Sequence, residues 1–576
     1  MRYVIPPQRR WILPRPLQLQ TSLAGVAPVL AAVLTARGVT DIEPFLDPGP
    51  PQTAPAPLDL ARAVERLQAA VAGGEPIVVY GDYDVDGVAG TAILVRTLRS
   101  LGARDVRTYI PNRYEEGYGL NEAAIRTLAA DGARVIVSVD CGVTAVRESS
   151  LARELGVDLI VTDHHHPPRA LPQPYALVNP RRKGDPYPDK DLAGAGVAFL
   201  LAQALAAGRF EPVRAACLQL AAVATVADVV PLRGANRWLV REGLALLNRS
   251  PLAGFRAIAR RSGLRLGGIE AYHIGFVIGP RLNAAGRLAD AIDALRIVLT
   301  EDDGEARALA DALEGRNEER QRLTREVVAA ARERALLLPE ASILVAHDAS
   351  WPAGIVGLAA SRLVEEFGRP AAVISIDGDE GKGSCRSIPE VHIAEVLAAC
   401  APLLMRHGGH AMAAGFSVAV DRIDALTKQL DEVVLAAAGG TMPEPTLRID
   451  LEVDSDELIH PRTIQALKAL EPTGAGNPRP LFLIRDVAIR DVRRMGEDHL
   501  RAKVRAGRWT VDAVAYGRGD DVEAAQSEER LDVVFTLGAG MFGGERGGIL
   551  QLELRDFQST ARVGAGAPAT ASVAET

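Results

Sequence analysis

Three carboxylates fall within five residues in the run Asp82-Tyr83-Asp84-Val85-Asp86-Gly87. They follow the β-branched stretch Ile77-Val78-Val79-Tyr80, and strand alternation, if it continued, would send all three the same way. Burying like charges together is very costly unless cations neutralise them, so in an α/β core the cluster implies a metal or complete exposure. Taken alone, the motif reads equally well as a solvated acidic turn. Two further runs, Val139-Asp140-Cys141-Gly142 and Thr162-Asp163-His164-His165-His166, each end another predicted strand. Carboxylates and imidazoles converging on one sheet edge make a mixed oxygen and nitrogen site suited to Mn2+, with Mg2+ as the alternative. No thiolate cluster favours zinc. Asp228 interrupts the apolar run Thr225 to Pro231 and needs a partner, a metal being one of several. Gly87, Gly90 and Gly142 allow tight turns beside these groups.

The elements that must position these residues alternate short β-branched runs with helical stretches from Pro76 onward, which predicts a doubly wound α/β domain. Ligands of open parallel sheets collect at the carboxyl ends of strands, where the acidic and histidine residues stand. Residues 1–300 are expected to hold an N-terminal segment and this catalytic domain. Residues 301–340, rich in Ala, Arg, Glu and Leu, read as one long connecting helix, and residues 341–438 as a second α/β domain. A Gly-Gly-Thr-Met-Pro-Glu-Pro linker precedes short strands over 445–560, expected to close into a small barrel of the oligonucleotide-binding (OB) type. The tail, 561–576, has the composition of a disordered segment.

The chain has 576 residues, enough for two to four domains of roughly 100–200 residues each. Its 48% hydrophobic and 24% charged content is ordinary for globular proteins. No apolar run approaches the roughly 20 residues that cross a bilayer, and Met1 to Arg10 has no hydrophobic core, so a cytoplasmic protein is expected. Cys141, Cys217, Cys385 and Cys400 are far apart and suit a reducing compartment. A net charge of −8 excludes a general coat of phosphate-binding cations, so nucleic-acid binding would rely on local patches. One such patch runs from Arg490 to Arg508, a solvated strand face being the equal alternative. Trp509, Tyr516 and Phe542 offer stacking surfaces, but aromatics are only 4% of the chain, too few for an extensive platform.

The runs DYDVDG at 82–87, VDCG at 139–142, DHH at 163–165 and TVADVVPL at 225–232 together resemble the DHH phosphoesterase superfamily. Their order and spacing are similar to those of the RecJ exonucleases. GYGLN at 117–121, GPRLNAAGR at 279–287, GSCRS at 383–387 and GGHAMAAG at 408–415 extend the resemblance through an associated DHHA1 domain, so that it covers most of residues 50–500. It implies a binuclear Mn2+ or Mg2+ site formed or bordered by Asp82, Asp84, Asp86, Asp140, His164, His165 and Asp228. Asp140 would bridge the metals, and His165, with Asp86, would belong to the catalytic set. Many relatives place a histidine four residues before the DxD pair; Tyr80 stands there, which leaves the part of Asp82 open between ligand and supporting group. Arg113, Tyr118, Arg281, Ser384, Arg386 and His410 are the implied substrate contacts.

The implied activity is 5′ to 3′ degradation of single-stranded DNA to mononucleotides in DNA repair and recombination. Two metals about 3.5–4 Å apart meet the difficulties of phosphodiester hydrolysis by generating hydroxide and stabilising charge on the attacking and leaving oxygens. A cleft between two α/β domains can admit one strand and exclude a duplex, with the barrel extending the track. A RecQ-type helicase and a single-strand-binding protein are the implied partners of a monomeric enzyme. Rival activities on the same motifs are an inorganic pyrophosphatase and a nuclease of very short oligonucleotides, which fit the barrel and the chain's length less well. From another class, a non-catalytic replication scaffold is opposed by the intact acidic set and both histidines.

Overall fold

The computed structural model describes residues 8–14, 27–52, 54–113, 116–288, 290–338, 340–454, 461–496, 498–539 and 550–560. The tail 561–576 and Phe542 lie outside them. The chain divides into two compact units: one runs from Glu43 to Pro443 with Pro472–Pro478, the other combines Met1–Ile42, Glu444–Glu471 and Arg479–Thr576.

In the first unit a five-stranded parallel sheet has the spatial order Val106–Tyr109, Ile77–Gly81, Val135–Val139, Asp158–Thr162 and Ala176–Val178. The β-branched runs form central strands because both faces are covered. Ile77 and Val79 enter one core with Val135 and Val137, whereas Val78 and Tyr80 enter the opposite core with Ile136. Chain order reverses between Ile77–Gly81 and Val135–Val139, and a doubly wound sheet opens its ligand crevice at such a switch point. The acidic runs at 82–86 and 140 leave these two strands.

Helices between Gly194 and Leu299 add a layer that the sequence reading did not resolve. The long helix spans Asp303–Leu336, started by Asp302, whose carboxylate accepts from the Glu305 amide at 2.6 Å. Its first half buries Ala306, Leu309, Ala310 and Leu313 in the core of the parallel-sheet domain; its second half buries Val327, Ala331 and Ala335 in that of the next domain. One rigid element is thus shared by two cores. At its middle, Glu314 takes two hydrogen bonds from the Arg281 guanidinium, at 2.6 and 2.9 Å, with both side chains nearly buried.

The next domain has a mixed sheet ordered Leu404–Gly409, Ala413–Ala419, Glu380–Arg386, Ala371–Asp377, Leu344–Asp348. Only the last pair is parallel. Gly383–Arg386 of the GSCRS motif form the end of a central strand, and Ser387 follows it. Gly383 sits under the Phe416 ring, where a Cβ would come within 2.1 Å of the ring, so the glycine is required by its cross-strand neighbour.

In the other unit, Phe482–Met495, His499–Ala506, Trp509–Ala515, Leu550–Ser559 and Arg530–Ala539 pair in that order, and the last strand returns to the first to close a five-stranded barrel. The N-terminal segment, grouped above with the catalytic domain, belongs to this unit. Arg10–Ile12 pairs in parallel with Thr446–Arg448, Trp11 donates to Asp556 at 2.9 Å, and Arg37 makes a two-pronged bond to Asp450 at 2.8 and 3.0 Å. Among the described residues no helix is long and apolar enough to cross a membrane.

Replacing Glu314 by Ala leaves the Arg281 guanidinium buried without its carboxylate. Denaturant unfolding should show a loss of about 3–5 kcal/mol; an unchanged midpoint would remove the pair from any part in holding the long helix.

Candidate metal and phosphate site

At the switch point, backbone constraints bring the carboxylates together. Asp84 caps the helix Val85–Ser100, accepting from the amides of Asp86 at 2.8 Å and Gly87 at 3.1 Å. Gly87 has no alternative, since a Cβ there would lie 2.5 Å from the Asp82 nitrogen. Asp86 is fully buried, and its two oxygens accept from Gly194 at 2.6 Å and Ala195 at 2.7 Å, the first amides of the helix Gly194–Ala206. Asp140 takes a left-handed conformation, φ 62°, and a Cβ on Gly194 would meet its side chain at 2.7 Å. Asp228 is the C-cap of the helix Glu211–Ala227.

His164 stands among these carboxylates. Its Nε2 lies 3.1 Å from Asp140, 3.6 Å from Asp228 and 3.7 Å from Asp86. Oxygen and nitrogen atoms group as Asp86, His164 and Asp228; as Asp82, Asp84 and Asp140; and as Asp140, His164 and His165, with less than 4.8 Å between members of each set. Asp140 belongs to two of the three. Asp82 Oδ1, Asp140 Oδ1 and both ring nitrogens of His164 are buried and lack a hydrogen-bond partner in the protein. Such atoms are rarely left so unless something else satisfies them, and a pair of divalent cations fits the donor set.

Electrostatics agree with the geometry. Burial, then the neighbouring carboxylates, holds Asp82, Asp140 and Asp228 well above the usual carboxylate range and pushes Asp86 up to about 7. His164 is lowered to about 3, by burial and then by His165, which keeps its imidazole neutral and able to ligate. His165 moves the other way. Burial is the largest influence and opposes its charge, but the 2.8 Å bond from Nδ1 to Asp163 and the charges of Asp163, Asp86 and Asp84 together raise it. Asp163 in turn accepts from the amides of Val143, His164 and His165, so it is an orienting group rather than a member of the cation sets. Sequence reading gave it no separate part.

The remaining predicted residues divide. The Tyr118 hydroxyl lies 3.2 Å from His165 Nδ1 and donates to the Asp140 carbonyl at 3.1 Å. Tyr80 is buried, its hydroxyl donating to the Gly119 carbonyl at 3.0 Å, while Asp82 groups with Asp84 and Asp140. His410, at the end of the Leu404–Gly409 strand, stacks near His165 with ring centres 6.2 Å apart and brings the second domain to the site. Arg113 lies over the Tyr83 ring, its guanidinium carbon 5.0 Å from the ring centre.

Arg386 donates to Ser384 Oγ at 3.0 Å and to the Cys385 carbonyl at 2.8 Å, beside Gly357 of the helix Ala353–Phe367. Arg281 is held by Glu314 and lies close enough to Arg320, already lowered by burial, to lower it further by charge repulsion. Arg287, six residues on, donates to the Gly354 carbonyl at 3.4 Å, on the same helix that Arg386 lies against. Burial and then Arg113, Arg320 and Arg386 lower it to about 10, so mutually repelling cations are held together in a partly enclosed pocket. Such a pocket favours a dianion. The signal available in the sequence was helical period: Asn283 and Arg287 are four apart on one face of Gly279–Leu288, and Asn283 accepts from the Val85 amide at 3.1 Å, beside the acidic run.

A parallel sheet whose switch point carries this carboxylate and histidine cluster, facing a second domain across a cationic pocket, defines a DHH-type phosphoesterase. Residues 76–225 match the family model described as DHH family, N-terminal domain; 340–436 match the DHHA1 domain and 449–556 the RecJ OB domain. Single-stranded-DNA-specific exonuclease RecJ of Bacillus subtilis is 36% identical over 552 residues, 91% of this chain and 68% of the relative. RecJ of Escherichia coli is 35% identical over 84% of this chain and 88% of its own length. The crystal structure of Thermus thermophilus RecJ with Mn2+ superposes with a TM-score of 0.82 at 34% identity, covering 97% of this chain and 81% of that one. The chain belongs to the RecJ family.

Asp140→Asn keeps the side chain's size and tolerates the left-handed backbone, but removes one buried charge. The metal-free variant should melt no lower than wild type. Wild type should gain about 2.7 kcal/mol of stability at Mn2+ one hundredfold above its dissociation constant, and the variant little of this. Equal gains in differential scanning fluorimetry would show that Asp140 does not hold the cations.

Proposed function

We propose that this chain is a two-metal exonuclease that degrades single-stranded DNA from the 5′ end to mononucleotides, in the service of DNA repair and recombination. The observation that carries the reading is the adjacency of two sites of opposite charge. A cluster of buried, unpartnered oxygen and nitrogen donors at the sheet's switch point lies beside a pocket of arginines contributed by both domains. Asp82, Asp84, Asp86, Asp140, His164 and Asp228 would hold two Mn2+ or Mg2+ ions, with His165 at their border. When bound, the ions acidify water and neutralise charge developing on the attacking and leaving oxygens.

The protein's own groups supply the rest. His165, hydrogen-bonded to Asp163, is placed to hydrogen-bond a phosphate oxygen or protonate the leaving alkoxide, with Tyr118 steadying the ring. Arg113, Arg287, Arg386 and Ser384 would grip the terminal 5′-phosphate and set how far the strand enters, and His410 would close over it. A guanidinium meets a terminal phosphate with parallel charge-assisted bonds that an internal diester fills less completely. The 5′ polarity rests on the resemblance to the RecJ family, since arginines alone do not distinguish a 5′ from a 3′ terminal phosphate. An enzyme of this kind needs single strands delivered to it, so a RecQ-type helicase and a single-strand-binding protein are its natural partners, with the cytoplasm and a monomer as its setting.

End-labelled single- and double-stranded DNA, digested with Mn2+ or Mg2+, tests the activity: nucleotides should be released from the 5′ end of the single strand alone. Arg386→Ala should slow cleavage of 5′-phosphorylated strands about tenfold or more relative to 5′-hydroxyl strands, since each charged hydrogen bond contributes roughly 1.5–3 kcal/mol. An unchanged ratio of the two rates would dismiss Arg386 from end recognition.

A further inference from the structure

The segment Ala271–Leu288 is helical throughout but contains one π-turn, Ile274–Ile278. Such turns cost regular packing and recur at functional sites. Here the turn leaves two aromatic rings in solvent. Tyr272 is 51% exposed and Phe276 66% exposed, and they stack on each other with centres 4.6 Å apart and planes inclined by 26°. Phe276 is the most exposed aromatic ring among the described residues.

Their position follows from the helix they start. Residues 276, 280, 283 and 287 recur at the spacing of one helical face, and all four are at least partly accessible while Ile278, Leu282, Ala284 and Ala285 are buried. On that face Arg287 enters the arginine pocket and Asn283 accepts from Val85 beside the acidic run. Further back, Gly279 and Gly275 pack on Ala227 and Val226, the residues just before Asp228, with Cβ approaches of 3.4 and 3.7 Å. The face therefore runs from the phosphate pocket, past the metal-binding carboxylates, to the paired rings. Seven residues of helix separate Asn283 from Phe276, about 10 Å at roughly 1.5 Å per residue.

We propose that Tyr272 and Phe276 form a base-stacking subsite for the DNA strand beyond the cleavage point, an inference that rests on the nuclease reading above. With the 5′ end in the arginine pocket and the first diester at the carboxylates, a strand that follows this face passes over the rings. Every base presents a π-face, so such a contact holds a strand without reading its sequence. Stacking also requires bases released from pairing, so the subsite favours single strands over duplex. The two residues position substrate and take no part in bond breaking.

The test uses the full chain. Fluorescence anisotropy without metal would follow binding to a short 5′-phosphorylated single strand, and to the same strand with abasic sites in place of all bases beyond the 5′-terminal dinucleotide. Phe276→Ala and Tyr272→Ala should each weaken binding to the intact strand about five- to tenfold and leave binding to the abasic strand unchanged. Phe276→Leu, which keeps apolar bulk without a ring, should behave as the Ala variant; Phe276→Trp should bind as wild type. With Mn2+, KM should rise and kcat hold. Wild-type affinity in both Ala variants overturns the proposal, as does equal weakening on intact and abasic strands. A wild-type chain that neither binds nor digests single-stranded DNA overturns the nuclease reading itself, and so is distinguishable from either result.

Discussion

Carboxylates brought together in a dry crevice repel one another, and this constraint governs the architecture around them. Asp82, Asp86 and Asp140 are all nearly inaccessible, and no arginine or lysine forms an ion pair with any of them among the described residues. Protein dipoles offset part of the cost. Two amides at the start of Gly194–Ala206 take Asp86, and the first turn of Val85–Ser100 takes Asp84. The rest of the charge is left for cations. Close approaches at Gly87 and Gly194, and the left-handed Asp140, exist because the cluster must be this tight.

Around it, adjacent groups are driven to opposite states. His164 and His165 are neighbours, yet burial lowers the pKa of one, while Asp163, Asp86 and Asp84 raise that of the other against its own burial. Environments that push like groups apart are how one site acquires both a ligand and an acid. The arginine pocket must then be held at a fixed distance, although Arg386 comes from another domain. A single helix buried in both cores, pinned at its middle by Arg281 and Glu314, gives that rigidity.

Much of this was legible in the sequence, for identifiable reasons. Strands of the parallel sheet are continuous β-branched runs, and their carboxyl ends carry the acidic and histidine motifs, so the switch-point site followed from order alone. The barrel was visible from alternating strands and turn residues. What escaped notice depended on partners remote in sequence. Gly383 and its neighbours look like a loop by propensity and become a strand only because Phe416 lies over the glycine. Arg10–Ile12 is a short segment whose partner strand lies near the other end of the chain. Arg281 and Arg287 share one motif, and only the fold shows that Glu314 binds the first while the second reaches the Gly354 carbonyl.

The acidic cluster, we propose, holds two divalent cations, and Asp140 would be a ligand to at least one of them. Titrating the metal-free protein with Mn2+, with free ion counted by electron paramagnetic resonance, tests this most directly. Two ions should bind per chain, and Asp140→Asn should abolish at least one of them while the fold is retained. A wild-type chain that saturates with a single ion, or an Asp140→Asn chain that still takes up both, would contradict the account.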